Sequence, residues 1–412
     1  MENNDGERIN ALNNGNVFAA EPQKRGSKVN LFLFLCGAVF SFVTFYSSLT
    51  VLPLYVYKLG GTEFDTGLQT ILFYLASILM RFYFGPLTDR KGRKIPLIIG
   101  AFVFATSSLF FLISDSIWKL TLARIYHAVG LATFFSSGGS LIVDLAPSNR
   151  VGIYIGMFRL TFVLALLTGP SLAMSVINNY NFNVWFVFSF LIGLLSLLML
   201  ALIKVPVNSV NPESGSLQKF RVVLKEKAAY QVYYGIALVS LTYGVLINFG
   251  VLFMDQNTGI PNPGLYFTYF SIVGIFGNLV SGYLSDRWKR PVVVWSAVML
   301  LGIGTGVFLF LPHIPGIFFI SSILAGLGYS GGMASLAAWL VEVTDKDHRG
   351  TVLALQESVI DLSIGLSSFF FGAISGYMGM GYTFAVIGLF AFVSALIKFL
   401  AFCSFGQAFH HK

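Results

Sequence analysis

The stretch Gly85-Pro86-Leu87-Thr88-Asp89-Arg90-Lys91-Gly92-Arg93-Lys94 (GPLTDRKGRK) sets basic residues and one acid between two apolar runs. Residues 282–290, GYLSDRWKR, repeat the phrase near the other end of the chain. Asp286 follows Asp89 by 197 positions (286 − 89). A second echo lies further on: DLAPSNR (144–150) is answered by EVTDKDHRG (342–350), with Arg349 following Arg150 by 199 positions (349 − 150). Two offsets that nearly agree divide the chain into two related halves.

The surroundings of these phrases are oily. Of 412 residues, 56% are hydrophobic and 11% charged, with a mean hydropathy of +0.76. Soluble domains carry about 25% charged residues, so this chain cannot clothe a water-facing surface of its size. The medium it implies is a lipid bilayer. The net charge of +8 and pI near 9.3 then reflect basic loops on the cytoplasmic side rather than nucleic-acid binding. Cys36 and Cys403 build no disulfide framework, and the five histidines show no metal-ligand spacing. Neither a nucleophile elbow nor a phosphate-cradling loop is present. No metal, no cofactor and no enzymatic activity are expected.

A membrane helix needs about 20 mainly apolar residues. Twelve stretches qualify: 30–57, 64–86, 95–113, 117–143, 150–176, 184–204, 229–255, 263–284, 291–311, 315–341, 349–378 and 380–404. They form an N-terminal six-helix bundle (30–204) and a C-terminal one (229–404). A polar, disordered tail is expected over 1–29, a basic cytoplasmic linker over 205–228 and a short cytoplasmic tail over 405–412. No signal peptide is read at the start. With the amino terminus inside, the inner loops collect the basic residues from Lys24 to Arg349, and the outer loops hold only Lys58 and Lys119. The positive-inside rule places both termini in the cytoplasm of a multi-pass plasma-membrane protein.

The charged phrase, including Gly85, Asp89, Arg90, Gly92, Arg93 and Lys94, matches the signature between helices 2 and 3 of the major facilitator superfamily, which the chain resembles across all twelve spans. Leu52-Pro53, Gly60 and Gly67-Leu68 look like its drug and metabolite exporter branch. Arg124, His127, Ala128 and Gly130 resemble a helix 4 motif, and Gly169-Pro170 with Gly156 resemble fragments of the antiporter motif. The resemblance implies an all-α membrane protein whose twelve transmembrane helices form two six-helix pseudo-repeats, the major facilitator fold, working as a monomer. It also implies that the acid-and-arginine cluster of Asp89, Arg90, Arg93, Asp144 and Arg150, with Asp286 and Arg287 in the second copy, is a conformational latch favouring the outward-open state. A pure topology signal is the alternative, though such a signal needs no acid.

Charges within the spans are the exceptions that inform: Arg81, Arg124, Arg159, Glu357 and Asp361. Each costs about 2.5–3.5 kcal/mol at mid-membrane. At about 1.5 Å per residue, Arg159 lies roughly 13 Å beyond Arg150, and Glu357 and Asp361 roughly 12 and 18 Å beyond Arg349. Arg81, up to about 12 Å inside Asp89, either pairs with Glu357 across the helix 2–helix 11 interface of the resembled fold or snorkels to the headgroups. Asp361 is the proton-carrier candidate, a hydrogen-bonded packing residue being its alternative. By resemblance Arg124 is a cavity residue tied to proton movement or substrate orientation. His127 joins it or merely packs. Arg159 binds an anionic substrate, pairs with Asp361 or contacts backbone carbonyls. Tyr46, Tyr74, Tyr126, Tyr243 and Tyr329 are further cavity candidates, and Gly326 to Gly332 in helix 10 permit bending.

The leading expectation is a secondary active transporter of a small organic solute by alternating access, its partners being protons and the bilayer, and the direction efflux by antiport. Basic residues in the first half and acids in the second suit a zwitterionic or anionic solute. A proton symporter importing an organic anion or sugar, and a non-transporting membrane sensor, are the alternatives.

Overall fold

A computed structural model describes residues 26–147, 149–204, 227–344 and 349–408. Its helices are α1 (Gly26–Lys58), α2 (Glu63–Lys91), α3 (Lys94–Leu112), α4 (Ile117–Leu145), α5 (Val151–Asn179) and α6 (Phe182–Ala201) in the first half. The second half holds α7 (Lys227–Asn257), α8 (Leu265–Arg287), α9 (Arg290–Gly306), α10 (Ile317–Glu342), α11 (Arg349–Met378) and α12 (Met380–Ala408). All twelve are long and apolar enough to cross a bilayer, and they correspond one to one with the expected spans. With lipid around it, a backbone must satisfy its polar groups within each helix.

The boundaries differ in detail. α1 begins at Gly26, so the last residues of the expected tail are helical, and α12 runs to Ala408 through half of the expected C-terminal tail. The rest of the tails and nearly all of the linker, with Lys219, Arg221 and Lys225, lie outside the described residues. α9 closes with a 3-10 turn, Val307–Phe310.

Local chemistry sets the helix ends. Thr62 caps α2 by accepting from the Asp65 amide, and the Asp65 carboxylate accepts in return from the Thr62 amide at 2.8 Å. Ser116 and Asn181 cap α4 and α6 in the same way. At its other end α2 stops on Gly92, whose φ of 84° suits glycine and explains its place in the charged phrase.

Helix α7 is central: most of its apolar window, 89%, is buried, against 17% for α12 on the rim. The halves meet along α2 with α11, α5 with α8 and α1 with α7. The first two contacts exchange under the repeat. Gly67 of α2 packs on the backbone of Ser368 in α11, and its counterpart Gly264 (264 − 67 = 197), just before α8, packs on the Pro170 carbonyl of α5. Any Cβ at either place would overlap backbone.

These contacts lie at the face away from the termini, where neutral hydrogen bonds join the halves. Asn262 donates to the Ser171 carbonyl (3.0 Å) and Ser175 Oγ (2.9 Å), Asn178 to the Pro261 carbonyl (2.7 Å), and Thr268 to the Leu167 carbonyl (2.7 Å). Toward the terminus-bearing face α5 packs within its own half, Phe158 stacking on Phe34 of α1 with centroids 5.4 Å apart. An added Cβ at Gly152 or Gly156 would meet nothing within 4 Å. Among the described residues, the halves are bonded together at one end, and at the other this stripe of α5 faces open space.

This geometry generates a test. In a background lacking Cys36 and Cys403, cysteines at Asn178 and Pro261 should cross-link readily in the parent chain. Gly264→Leu should abolish the cross-link by wedging the far face open, and Gly282→Leu, at a position facing open space, should not.

Candidate functional site

At the inner limit of the closed region, Arg81 Nη2 of α2 lies 2.7 Å from Asp361 Oδ2 of α11, with side-chain exposures of 16% and 7%. The contact sets charge against charge, without an aligned hydrogen bond. The expected partner of Arg81 was Glu357, one turn nearer the terminus-bearing face, and the structure corrects this. The cause is the direction of Cα–Cβ bonds, which tilt toward a helix's N-terminus. α2 and α11 run in opposite senses, so Arg81 leans toward the far face and Asp361 leans back to meet it.

Glu357 is exposed despite its depth, which places it on the wall of the open space. The charges of Arg81 and Arg159 both act on it. Arg159 is also exposed and shares a stripe of α5 with Gly152 and Gly156, about 100° round the helix from the apolar stripe Ile153, Met157, Leu160 and Leu164. Neither Arg159 nor Glu357 is in an ion pair among the described residues. The sequence option of Arg159 pairing with Asp361 is thus not realised.

Four of the five candidate tyrosines converge. Tyr46 of α1, Tyr74 of α2, Tyr243 of α7 and Tyr329 of α10 lie within one another's electrostatic reach, and Tyr243 stacks on Tyr329 with centroids 4.0 Å apart. Tyr46 and Tyr243 are again 197 positions apart (243 − 46). Tyr126 is the exception: it hydrogen-bonds Thr106 at 2.8 Å and meets Phe110 within the first half.

Arg124 and His127 also turn away from the open space. Arg124 is 2% exposed, donates to Thr70 Oγ1 at 3.4 Å, lies 5.1 Å from the Phe73 ring centre and leaves Nε without a partner. His127 sits among Phe45, Phe73, Phe104 and Phe111, ring centroids 5.2 to 5.9 Å away. Their shared face of α4 is spent on packing inside the first half, so neither lines the cavity as expected.

The latch cluster divides. Arg93 Nη1 lies 2.5 Å from Asp144 Oδ1 and also donates to the Ser140 carbonyl. The second half reproduces this with residues outside the expected latch: Arg290, at the start of α9, pairs with Glu342 at the end of α10, donates to Ser285 Oγ at 2.8 Å and approaches Asp286 at 3.9 Å. The signal was available, since Arg290 follows Arg93 by the same 197 positions (290 − 93). Arg287 instead stacks over Tyr283 at 4.4 Å. Arg150 is exposed and makes no ion pair with a described residue. The side chains of Asp89 and Arg90, and the surroundings of Gly85, lie outside the described residues.

Comparison with known proteins agrees with this architecture. The Major Facilitator Superfamily profile matches residues 34–261 and 232–407. The chain is 24% identical to the multi-drug resistance efflux pump PmrA homolog of Lactococcus lactis, over 91% of this chain and 95% of that protein. It is 24% identical to the quinolone resistance protein NorA of Staphylococcus aureus, over 60% of this chain and 65% of that one. Among solved structures, a bacterial homolog of the human lysosomal transporter Spinster, inward-facing and unoccupied, superposes with a TM-score of 0.74 at 17% identity, covering 92% of this chain and 95% of that one. Twelve membrane-capable helices in two matching sets of six and a profile match along nearly the whole length converge on one conclusion: the chain belongs to the Major Facilitator Superfamily and is a multi-pass membrane transporter.

Proposed function

We propose that this transporter exports a small organic solute in exchange for protons, by alternating access in the plasma membrane. The observation that carries the reading is the Arg81–Asp361 pair, which bridges the two halves where they part. The names of the drug-efflux relatives support the direction. With the basic loops in the cytoplasm, the open face is the inner one and the structure is inward-facing.

An ionised carboxylate is tolerated in a low-dielectric interior while its counter-charge is near. Rocking that opens the far face draws α2 away from α11. Asp361 then stands without Arg81 and takes a proton from outside, which removes the cost of an unpaired charge. On return, Arg81 reclaims the carboxylate and the proton leaves to the cytoplasm. The solute travels the other way through the space lined by Arg159, Glu357, Tyr46 and Tyr329. Arg93–Asp144 and Arg290–Glu342 tie the turn after the second helix of each half to the end of its fourth, so each bundle moves as a body.

Two outcomes are expected from purified protein in vesicles under an imposed pH gradient, tested with a panel of labelled solutes that includes quinolones. Asp361→Asn should reduce gradient-driven transport to background while solute exchange at equal concentrations persists; an unchanged response to the gradient refutes the proton role. Arg81→Asp and Asp361→Arg should each inactivate, and combining them should restore measurable flux. If the double variant is as dead as either single one, the pair is not a working contact.

A further inference from the structure

The open space has a charge pattern that narrows the solute. Among the described residues, the Arg, Asp and Glu side chains at this depth are Arg81, Arg124, Arg159, Glu357 and Asp361; His127 is enclosed by aromatic rings, and Lys398 lies over Tyr234 on the rim helix α12. Arg81 and Asp361 neutralise one another. Arg124 is 2% exposed behind Phe73 and out of a solute's reach. One exposed cation, Arg159, and one exposed anion, Glu357, are left. Each stands near enough for Arg159 to act on Glu357, yet the two form no ion pair. A gap separates them.

The repeat explains why they face each other. Glu357 follows Arg159 by 198 positions (357 − 159), the offset that also relates Glu342 to Asp144 (342 − 144). Equivalent positions of halves related by an axis along the membrane normal lie on opposite walls of the space around that axis. Here the equivalent positions carry opposite charges. On the Glu357 side, Tyr46 and Tyr329 feel its charge, and Tyr329 lies flat on Tyr243.

From this pattern we infer that the solute is a zwitterion with a flat apolar middle, its anionic group held by Arg159, its cationic group by Glu357, and its body against the part-exposed Tyr46 and Tyr329. A plain anion would satisfy Arg159 and be opposed by Glu357; a plain cation would do the reverse. Either leaves one charge unpaired when the space closes and water is expelled, which is costly. Aromatic faces favour an offset-stacked ring. Because the two charged residues belong to different halves, a bridging solute gains most when the halves draw together over it. It therefore binds the closing state more tightly than the open one, the condition for a ligand to shift the equilibrium.

The inference rests on the transporter reading above but is tested by binding alone, on the purified full chain in lipid nanodiscs. The probes are para-aminomethylbenzoic acid and tyrosyl-tyrosine, each beside its C-terminal amide (a cation) and its N-acetyl form (an anion). At least one scaffold should bind with the zwitterion favoured about tenfold or more over both relatives, or about 1.4 kcal/mol. Arg159→Gln should erase the advantage over the amide and keep that over the acetyl form. Glu357→Gln should do the opposite. Both variants should keep the parent's elution profile and thermal stability, which separates lost selectivity from misfolding. Equal binding of the amide or acetyl form, unaltered selectivity in the variants, or no binding of either scaffold overturns the inference. Charge-selective binding without proton-driven flux would instead refute the exporter mechanism and leave this inference standing.

Discussion

Two opposite charges 2.7 Å apart, one from each half of a body immersed in lipid, make the constraint on which the arrangement turns. Desolvating either side chain alone is expensive, and removing one partner of a buried pair costs about 3–5 kcal/mol. Together they tolerate the site; apart, each needs water, a proton or another partner. The halves cannot slide past each other at α2 and α11 without a change of protonation or solvation at Asp361. That gives a bistable contact rather than a continuous one, and bistable contacts are what switching proteins exploit.

Around this asymmetric pair the two halves are built alike. Tyr46 and Tyr243 lie within electrostatic reach of one another, Gly67 and Gly264 allow the same close approach at the far face, and Arg93 and Arg290 fasten equivalent turns. Where structure alone is needed, the repeat is kept. At the proposed solute and proton sites it is broken: Arg159 answers Glu357 with the opposite sign, and Arg81 has Asn278 at its offset position (278 − 81 = 197).

The spans, the two halves and the duplicated phrase were legible because each rests on composition or spacing, which a linear chain displays directly. What the sequence concealed was direction around each helix. Arg124 and His127 stand three apart on α4, and their shared face points into a neighbour's aromatic rings rather than into the cavity. Nothing in a run of apolar residues separates those two outcomes, since both faces of a membrane helix are oily. The same blindness put Tyr126 with the cavity tyrosines. Other misses were avoidable. The tilt of side chains along antiparallel helices favours Asp361 over Glu357 as the partner of Arg81, and the repeat offset alone points to Arg290.

The hydrogen bonds that join the halves at the face away from the termini run from Asn178, Asn262 and Thr268 to backbone and hydroxyl oxygens, and none carries a formal charge. Dissolved ions screen charged contacts within a Debye length and leave neutral ones nearly untouched. The hydrogen bonds of this seal therefore hold nearly alike in dilute and in saline surroundings. The membrane's barrier at that face is thereby insulated from whatever ionic strength the medium presents.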